Sequence, residues 1–231
     1  MTILVCLDRD GTINKDENYF LGSTEDWKSK VKFLPGVVKG IKLLNQISDL
    51  EVFIITNQAG VALENDEFKA LTEQRYQEVN EYIIQELAKK QAIIRGFFGC
   101  PYVDLKYAEK SRQRGRTIDS KYLIDNHPDW KPNPGMVEKA AKSLGKNLRE
   151  CRVYFIGDRL TDVKTGLNAG GTGILVSRFK TRELGDEEKV QKLKLQYPNR
   201  VYIAKNFLEA VRIIKKDLES EPPCVKSTWN L

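Results

Sequence analysis

The sequence predicts an α/β domain with a doubly wound, mostly parallel sheet between two helix layers. Three observations carry the prediction. Strand-like apolar runs alternate with helix-periodic runs along the whole chain. The first run, Ile3 to Leu7, stops abruptly on Asp8-Arg9-Asp10-Gly11-Thr12, and a later one, Arg152 to Ile156, stops on Gly157-Asp158. Strands that end on acids place them at the carboxyl edge of a parallel sheet, where α/β folds bind their ligands. At 231 residues, one domain over residues 1–218 with a tail at 219–231 is expected rather than two independent units.

Taken in order, residues 2–7 read as a buried strand. Pro35-Gly36 then opens an amphipathic helix through Val37, Ile41 and Leu44 to about Ile47. Residues 51–55 form a second buried strand that ends on Thr56-Asn57-Gln58. A long helix is expected over 66–90, with Leu71, Tyr76, Val79, Ile83 and Leu87 on one face. Residues 93–98 are a third strand. Residues 134–144 are a helix with proline in its first turn and Asn133 as cap. The fourth strand, 152–156, leads into a short helix at 161–168 stopped by Gly170-Gly171. A fifth strand at 173–176, a charged helical stretch, a sixth strand at 201–204 and a last helix over 207–218 complete the series. Right-handed crossovers bring every strand end to one edge. Two segments resist this scheme: polar 14–33, with Tyr19, Phe20 and Trp27, and Lys/Arg-rich 101–130. Loops of such length are uncommon in a compact domain and serve as lids or binding loops.

Composition narrows the function. No apolar run approaches the roughly 18 residues that span a bilayer, so no membrane role is expected. The chain runs directly into a strand, so no signal peptide is expected. Cys6, Cys100, Cys151 and Cys224 lack CxxC spacing, which suits reduced thiols in a cytoplasmic protein. The net charge of +6 favours anionic partners, either phosphorylated metabolites or nucleic acid.

The chemistry gathers at the predicted edge. Asp8 and Asp10 end the first strand, Thr56-Asn57 the second, and Asp158 the fourth, with Asp162 one helical turn on. Lys131 precedes the helix that opens after Pro132-Asn133-Pro134. Carboxylates hold Mg²⁺, which demands oxygen ligands, while a hydroxyl, an amide and an ammonium neutralise a transferring phosphoryl group. In this order, DxDGT, Thr-Asn, Lys and GDxxxD resemble the haloacid dehalogenase superfamily of phosphohydrolases at all of its signature motifs.

The resemblance implies a Rossmann-like core of that family and a role for each matching position. Asp8 is the expected nucleophile, forming an aspartyl-phosphate. Asp10 is the expected general acid and then base. Asp8, Asp10 (through its main-chain carbonyl) and Asp158 are the implied Mg²⁺ ligands, with Asp162 behind them. Thr56, Asn57 and Lys131 are implied to hold the phosphoryl group. Asp10 also selects the reaction, because family ATPases usually carry threonine there and dehalogenases lack the acid. Leu7-Asp8-Arg9-Asp10-Gly11-Thr12-Ile13-Asn14, Thr56-Asn57-Gln58-Ala59-Gly60 and Lys131-Pro132-Asn133-Pro134-Gly135-Met136 look most like the subgroup of heptose bisphosphate 7-phosphatases, histidinol-phosphate phosphatases and polynucleotide 3′-phosphatases. That subgroup lacks a large cap domain and reads its substrates with loops, which is the role expected of 101–130.

Two departures bear on substrate. Where heptose bisphosphatases carry a zinc loop, only Cys100 matches. Tyr102 stands in the pattern, so a structural zinc is not expected even though His127 and Asp129 are capable ligands. Trp130 replaces an arginine expected to grip a remote phosphate, and an indole makes no bidentate contact. Arg159, or Lys106, Lys110, Arg112, Arg114 and Arg116, could substitute, and Trp130 could stack on a sugar face. The expected activity is Mg²⁺-dependent hydrolysis of a small phosphomonoester, most of all a sugar phosphate, by a monomer or small homo-oligomer. The rivals are a polynucleotide 3′-phosphatase and a catalytically idle scaffold on the same fold.

Overall fold

The computed structural model describes residues 1–15 and 20–220. Strands β1 (Thr2–Leu7), β2 (Leu50–Asn57), β3 (Gly96–Cys100), β4 (Cys151–Gly157), β5 (Thr172–Val176) and β6 (Val201–Ala204) form one sheet in the order β3-β2-β1-β4-β5-β6. Every neighbouring pair is parallel. The helices are α1 (Val37–Leu44), α2 (Glu73–Ala88), α3 (Leu105–Arg112), α4 (Gly135–Ser143), α5 (Leu160–Asn168), α6 (Phe179–Glu183), α7 (Asp186–Gln196) and α8 (Phe207–Glu219).

The strand period of two sorts the core into layers. Val5, Leu7, Val52 and Ile54 face Ile41 of α1, Val79 and Ile83 of α2, and Val211 and Ile214 of α8. Leu4, Cys6, Phe53, Ile55 and Phe155 face Met136, Val137 and Ala140 of α4. Val163 of α5 and Val190 of α7 cover Leu175 and Val201 on that opposite side. Helices on both faces explain why the strands read as unbroken apolar runs. The chain winds outward from β1 to β3, then returns to β4 beside β1 and winds the other way. The order reverses between β1 and β4, so their carboxyl ends flank the crevice of the sheet.

Several boundaries differ from expectation. The helix expected over 66–90 begins at Glu73, because extended Thr72 caps it by accepting the Arg75 N–H at 3.0 Å. Leu71, periodic with that helix on paper, packs instead with Phe68, Leu63, Phe20 and Ile118. The third strand starts at Gly96, while Ile93 is exposed and held by Asn45. Asn133 does not cap α4. Its amide donates to Asn126 and to the His127 carbonyl, and Pro134 takes the cap position.

Segment 101–130 is not an open loop. Asp104 caps α3 by accepting the Tyr107 N–H at 2.6 Å, and bridges Val103–Leu123 and Leu63–Ile118 tie the segment down. Only Ala108 and Ser111 of α3 are buried, so the helix carries no apolar stripe to betray it. Of 14–33, Trp27 is buried edge-on against Tyr82, and Tyr19 lies outside the described residues. So do residues 221–231 of the tail, with Cys224. Cys6 and Cys100 are buried free thiols, and burial pushes the Cys100 thiol up to about 12. Among the described residues no helix is long and apolar enough to cross a membrane.

Candidate active site

Asp8 is the first residue beyond β1, and its N–H still bonds the Ile156 carbonyl of β4 at 2.9 Å. The ladder therefore delivers its side chain to the crevice. The chain then folds back at once: the Ile13 and Asn14 N–H groups both bond the Arg9 carbonyl, and the Gly11 N–H bonds the Asn14 carbonyl. Gly11 sits at φ +84°, and a Cβ there would stand 2.4 Å from Asp158 Oδ2. Glycine is thus required twice, for the left-handed backbone and for the approach of the Asp158 carboxylate.

Asp8, Asp158 and Asp162 are all buried, and one carboxylate oxygen from each lies within 4.8 Å of the other two. Three such anions are tolerated only beside positive charge. Lys131 Nζ, itself 5% exposed, donates to Asp8 Oδ1 at 2.7 Å and to Asp162 Oδ1 at 2.6 Å. A third donation reaches the Ile55 carbonyl at 3.3 Å. Burial pushes the Asp8 carboxyl up to about 7, against the pull of Lys131, and Asp162 and Asp10 add repulsion. Burial pulls the Lys131 ammonium down, but Asp162 and Asp8 outweigh it and hold the group above its ordinary range.

The trio suits a hard cation. Its donors are all carboxylate oxygens, as Mg²⁺ requires, and the bare face of Gly11 keeps room for Asp158. Both oxygens of Asp162 are engaged, one by Lys131 and one by the Arg159 N–H at 3.0 Å. Asp8 Oδ2 has no hydrogen-bond partner among the described residues. Asp8 and Asp158 could therefore hold such an ion, while Asp162 buttresses Lys131.

The remaining expected residues divide. Thr56 is buried at the end of β2, where its hydroxyl accepts from the Gln58 amide at 2.9 Å. Asn57 Oδ1 accepts the Lys131 N–H at 3.1 Å, which ties the second strand to the lysine. The Asp10 carboxylate lies outside the acidic trio and is gripped by Arg9. Trp130, half-buried, donates its indole N–H to Asp104 at 3.1 Å and meets Tyr107 edge-on, which ties it to α3. Arg159 is turned away to Asp186 of α7, at 2.8 Å. At the position of the family's zinc loop, His127 Nδ1 accepts the Asp129 N–H, its ring stacks on Tyr102, and Asp129 pairs with Lys139. These groups are held by each other.

Sequence reasoning missed Arg9, Asn80 and Arg178. Arg9 is buried at 2% exposure beside Asn80, whose polar side chain interrupts the apolar face of α2. That interruption was the available signal. Arg178, from the loop after β5, donates to the Gly11 carbonyl at 2.8 Å, and nothing local marks it. The Gly11 geometry makes a sharp expectation. Gly11→Ala forces the Asp158 carboxylate to move, and a titration of activity against Mg²⁺ should show the half-maximal concentration rising about tenfold or more.

Residues 4–168, more than half of the chain, match the family described as polynucleotide kinase 3 phosphatase, and 130–210 match a HAD-hydrolase-like family. The D-glycero-D-manno-heptose-1,7-bisphosphate 7-phosphatase of Chlorobaculum tepidum is 32% identical over 174 residues, covering 74% of this chain and 76% of the relative. The D-glycero-alpha-D-manno-heptose-1,7-bisphosphate 7-phosphatase of Photorhabdus laumondii is 34% identical over 167 residues, covering 71% and 76%. A crystal structure of D,D-heptose 1,7-bisphosphate phosphatase from B. bronchiseptica has the same fold. Its TM-score is 0.65 at 22% identity, over 94% of this chain and 99% of that one.

Proposed function

As the chain belongs to the haloacid dehalogenase superfamily of phosphatases, closely related to its heptose bisphosphate 7-phosphatases, we propose that it releases phosphate from a sugar phosphate through an aspartyl-phosphate on Asp8. It is a Mg²⁺-dependent phosphomonoester hydrolase. The observation that supports this route best is the buried Lys131 ammonium bridging Asp8 and Asp162 beside Asp158.

Asp8 Oδ2 attacks the phosphorus, and the P–O bond to the sugar breaks as Asp10 gives its proton to the departing oxygen. Asp10 then takes a proton from water, which attacks the same phosphorus and frees both phosphate and Asp8. Lys131 holds Asp8 Oδ1, so the other oxygen faces the substrate. Asn57, its Oδ1 committed to the Lys131 N–H, offers its amide N–H groups to the phosphoryl oxygens, and Thr56 lines the same wall. Asp8, Asp158 and the Asp10 main-chain carbonyl would hold Mg²⁺, which would supply positive charge for the phosphoryl oxygens.

Segment 101–130, anchored beside Lys131 through Trp130, forms the substrate-reading edge. With its indole N–H committed to Asp104, Trp130 gives no grip on a second phosphate, so a sugar monophosphate fits better than heptose bisphosphate. The second reading is a 3′-phosphorylated polynucleotide. It is favoured by the description of the matching family and by exposed Lys106, Lys110, Arg112 and Arg114 on and after α3.

Phosphate release from sugar mono- and bisphosphates, phosphorylated amino alcohols, nucleotides and a 3′-phosphorylated oligonucleotide tests these readings, with Mg²⁺ and with EDTA. A sugar ester should give the highest kcat/KM. If the oligonucleotide wins, with affinity that falls steeply with salt, the polynucleotide reading replaces it. No release from any ester would end the hydrolase reading. Asp10→Asn should lower turnover of the best ester by about 10²–10⁴-fold while KM changes little. Unchanged turnover would move the acid elsewhere.

A further inference from the structure

Arg9 stands between Asp8 and Asp10 on a loop at the mouth of the crevice, yet it is 2% exposed. A guanidinium so buried is tolerated only when its N–H groups find acceptors. Nη2 lies 2.7 Å from Asp10 Oδ2, and Nε lies 3.1 Å from both Asp10 oxygens. Nη1 points the other way, 3.4 Å from Asn80 Oδ1. Asn80 is fully buried on α2, and its amide donates to the Tyr76 carbonyl one turn back at 2.7 Å, which leaves Oδ1 turned to Arg9. The Asp10 side chain, by contrast, is 33% exposed.

We infer that Arg9, braced on Asn80 of α2, is a positioning residue that aims the Asp10 carboxylate at the leaving oxygen. A partly exposed aspartate otherwise samples several rotamers. A planar fork on both of its oxygens fixes the two side-chain torsions at once, which a lysine ammonium does not. The rigid wall of the site is thereby extended to the one reacting group that solvent would otherwise leave loose. This assignment rests on the reading of Asp10 as proton donor and acceptor.

The test compares two esters by kcat/KM: the alkyl phosphate turned over fastest in the panel, and p-nitrophenyl phosphate, whose leaving group departs without a proton. Arg9→Lys keeps the buried charge but removes the fork. It should lower kcat/KM for the alkyl ester by about 10–100-fold and for the aryl ester by less than about threefold. In an Asp10→Asn background, Arg9→Lys should add less than about threefold, because there is no acid left to aim. Asn80→Ala, made on the helix rather than in the catalytic loop, should show the same leaving-group pattern at about three- to tenfold, and it decides the matter if Arg9→Lys does not fold. Equal losses on both esters, or losses that multiply fully with Asp10→Asn, would reduce Arg9 to structural support. If Asp10→Asn itself spares the alkyl ester, the acid–base reading falls and this assignment falls with it. An intact Asp10 dependence beside additive Arg9 losses removes only the assignment.

Discussion

Asp8→Asn should abolish phosphate release, by on the order of 10⁴-fold or more, while the protein stays folded. Asparagine preserves the shape of the side chain and its acceptor toward Lys131, so the 2.7 Å contact survives in form. What disappears is the anionic oxygen proposed to attack phosphorus and one of the two carboxylates proposed to hold the ion. The amide is also neutral in a site where Asp8, Asp158 and Asp162 crowd within 4.8 Å, so thermal stability should hold or rise. Removal of Mg²⁺ by EDTA should stop the wild-type enzyme in the same way, with activity restored by Mg²⁺. Single-turnover measurement with a radiolabelled phosphoryl donor gives the sharpest reading. The wild type should trap label on protein and the variant none, and a labelled Asp8→Asn protein would place the nucleophile elsewhere.

Lys131→Met carries the second large effect and couples stability to catalysis. The ammonium is the cation shared by Asp8 and Asp162, all three side chains being under a tenth exposed. Methionine fills much the same volume but leaves two buried carboxylates facing one another. Breaking a buried pair in this way costs about 3–5 kcal/mol, which a denaturant titration measures directly. Turnover should fall by about 10²–10³-fold, since the nucleophile loses the charge that keeps it ionised and the phosphoryl group loses a donor. Mg²⁺, which restores positive charge beside Asp8, should recover part of the lost stability of the variant. Wild-type stability with or without Mg²⁺ would mean that the bridge contributes nothing net.

The acidic strand ends were legible because they are local facts. A buried strand has one direction and one exit, so the residues after Leu7 and Gly157 reach the sheet edge whatever else the chain does. Asp8, Asp158, Thr56 and Asn57 needed only the alternation of elements and the right-handed crossover to be placed. Lys131 was legible as a residue type before a helix. Its two hydrogen bonds, to Asp8 and Asp162, 123 and 31 positions away in the chain, were not.

Patterns that rest on apolar periodicity failed where burial had another source. Leu71 imitates the register of α2 but belongs to a separate cluster with Phe68, Phe20 and Ile118. Helix α3 hides because most of its residues face water, its start fixed by the Asp104 cap alone. Trp130, open on paper to stacking, spends its one donor on Asp104.

By itself, then, the sequence determined the parallel α/β architecture, the edge on which the acids meet and the class of chemistry they perform, since each follows from strand direction, residue type and order. Only the tertiary structure decided that Asp162 supports the lysine, that Arg9, beside Asp10, is braced on Asn80, and that Arg178 secures the Gly11 carbonyl. Those pairings join groups carried by different strands, helices and loops, and their energy comes from desolvating charged and polar groups together. No window of sequence contains both partners and the burial that makes them matter.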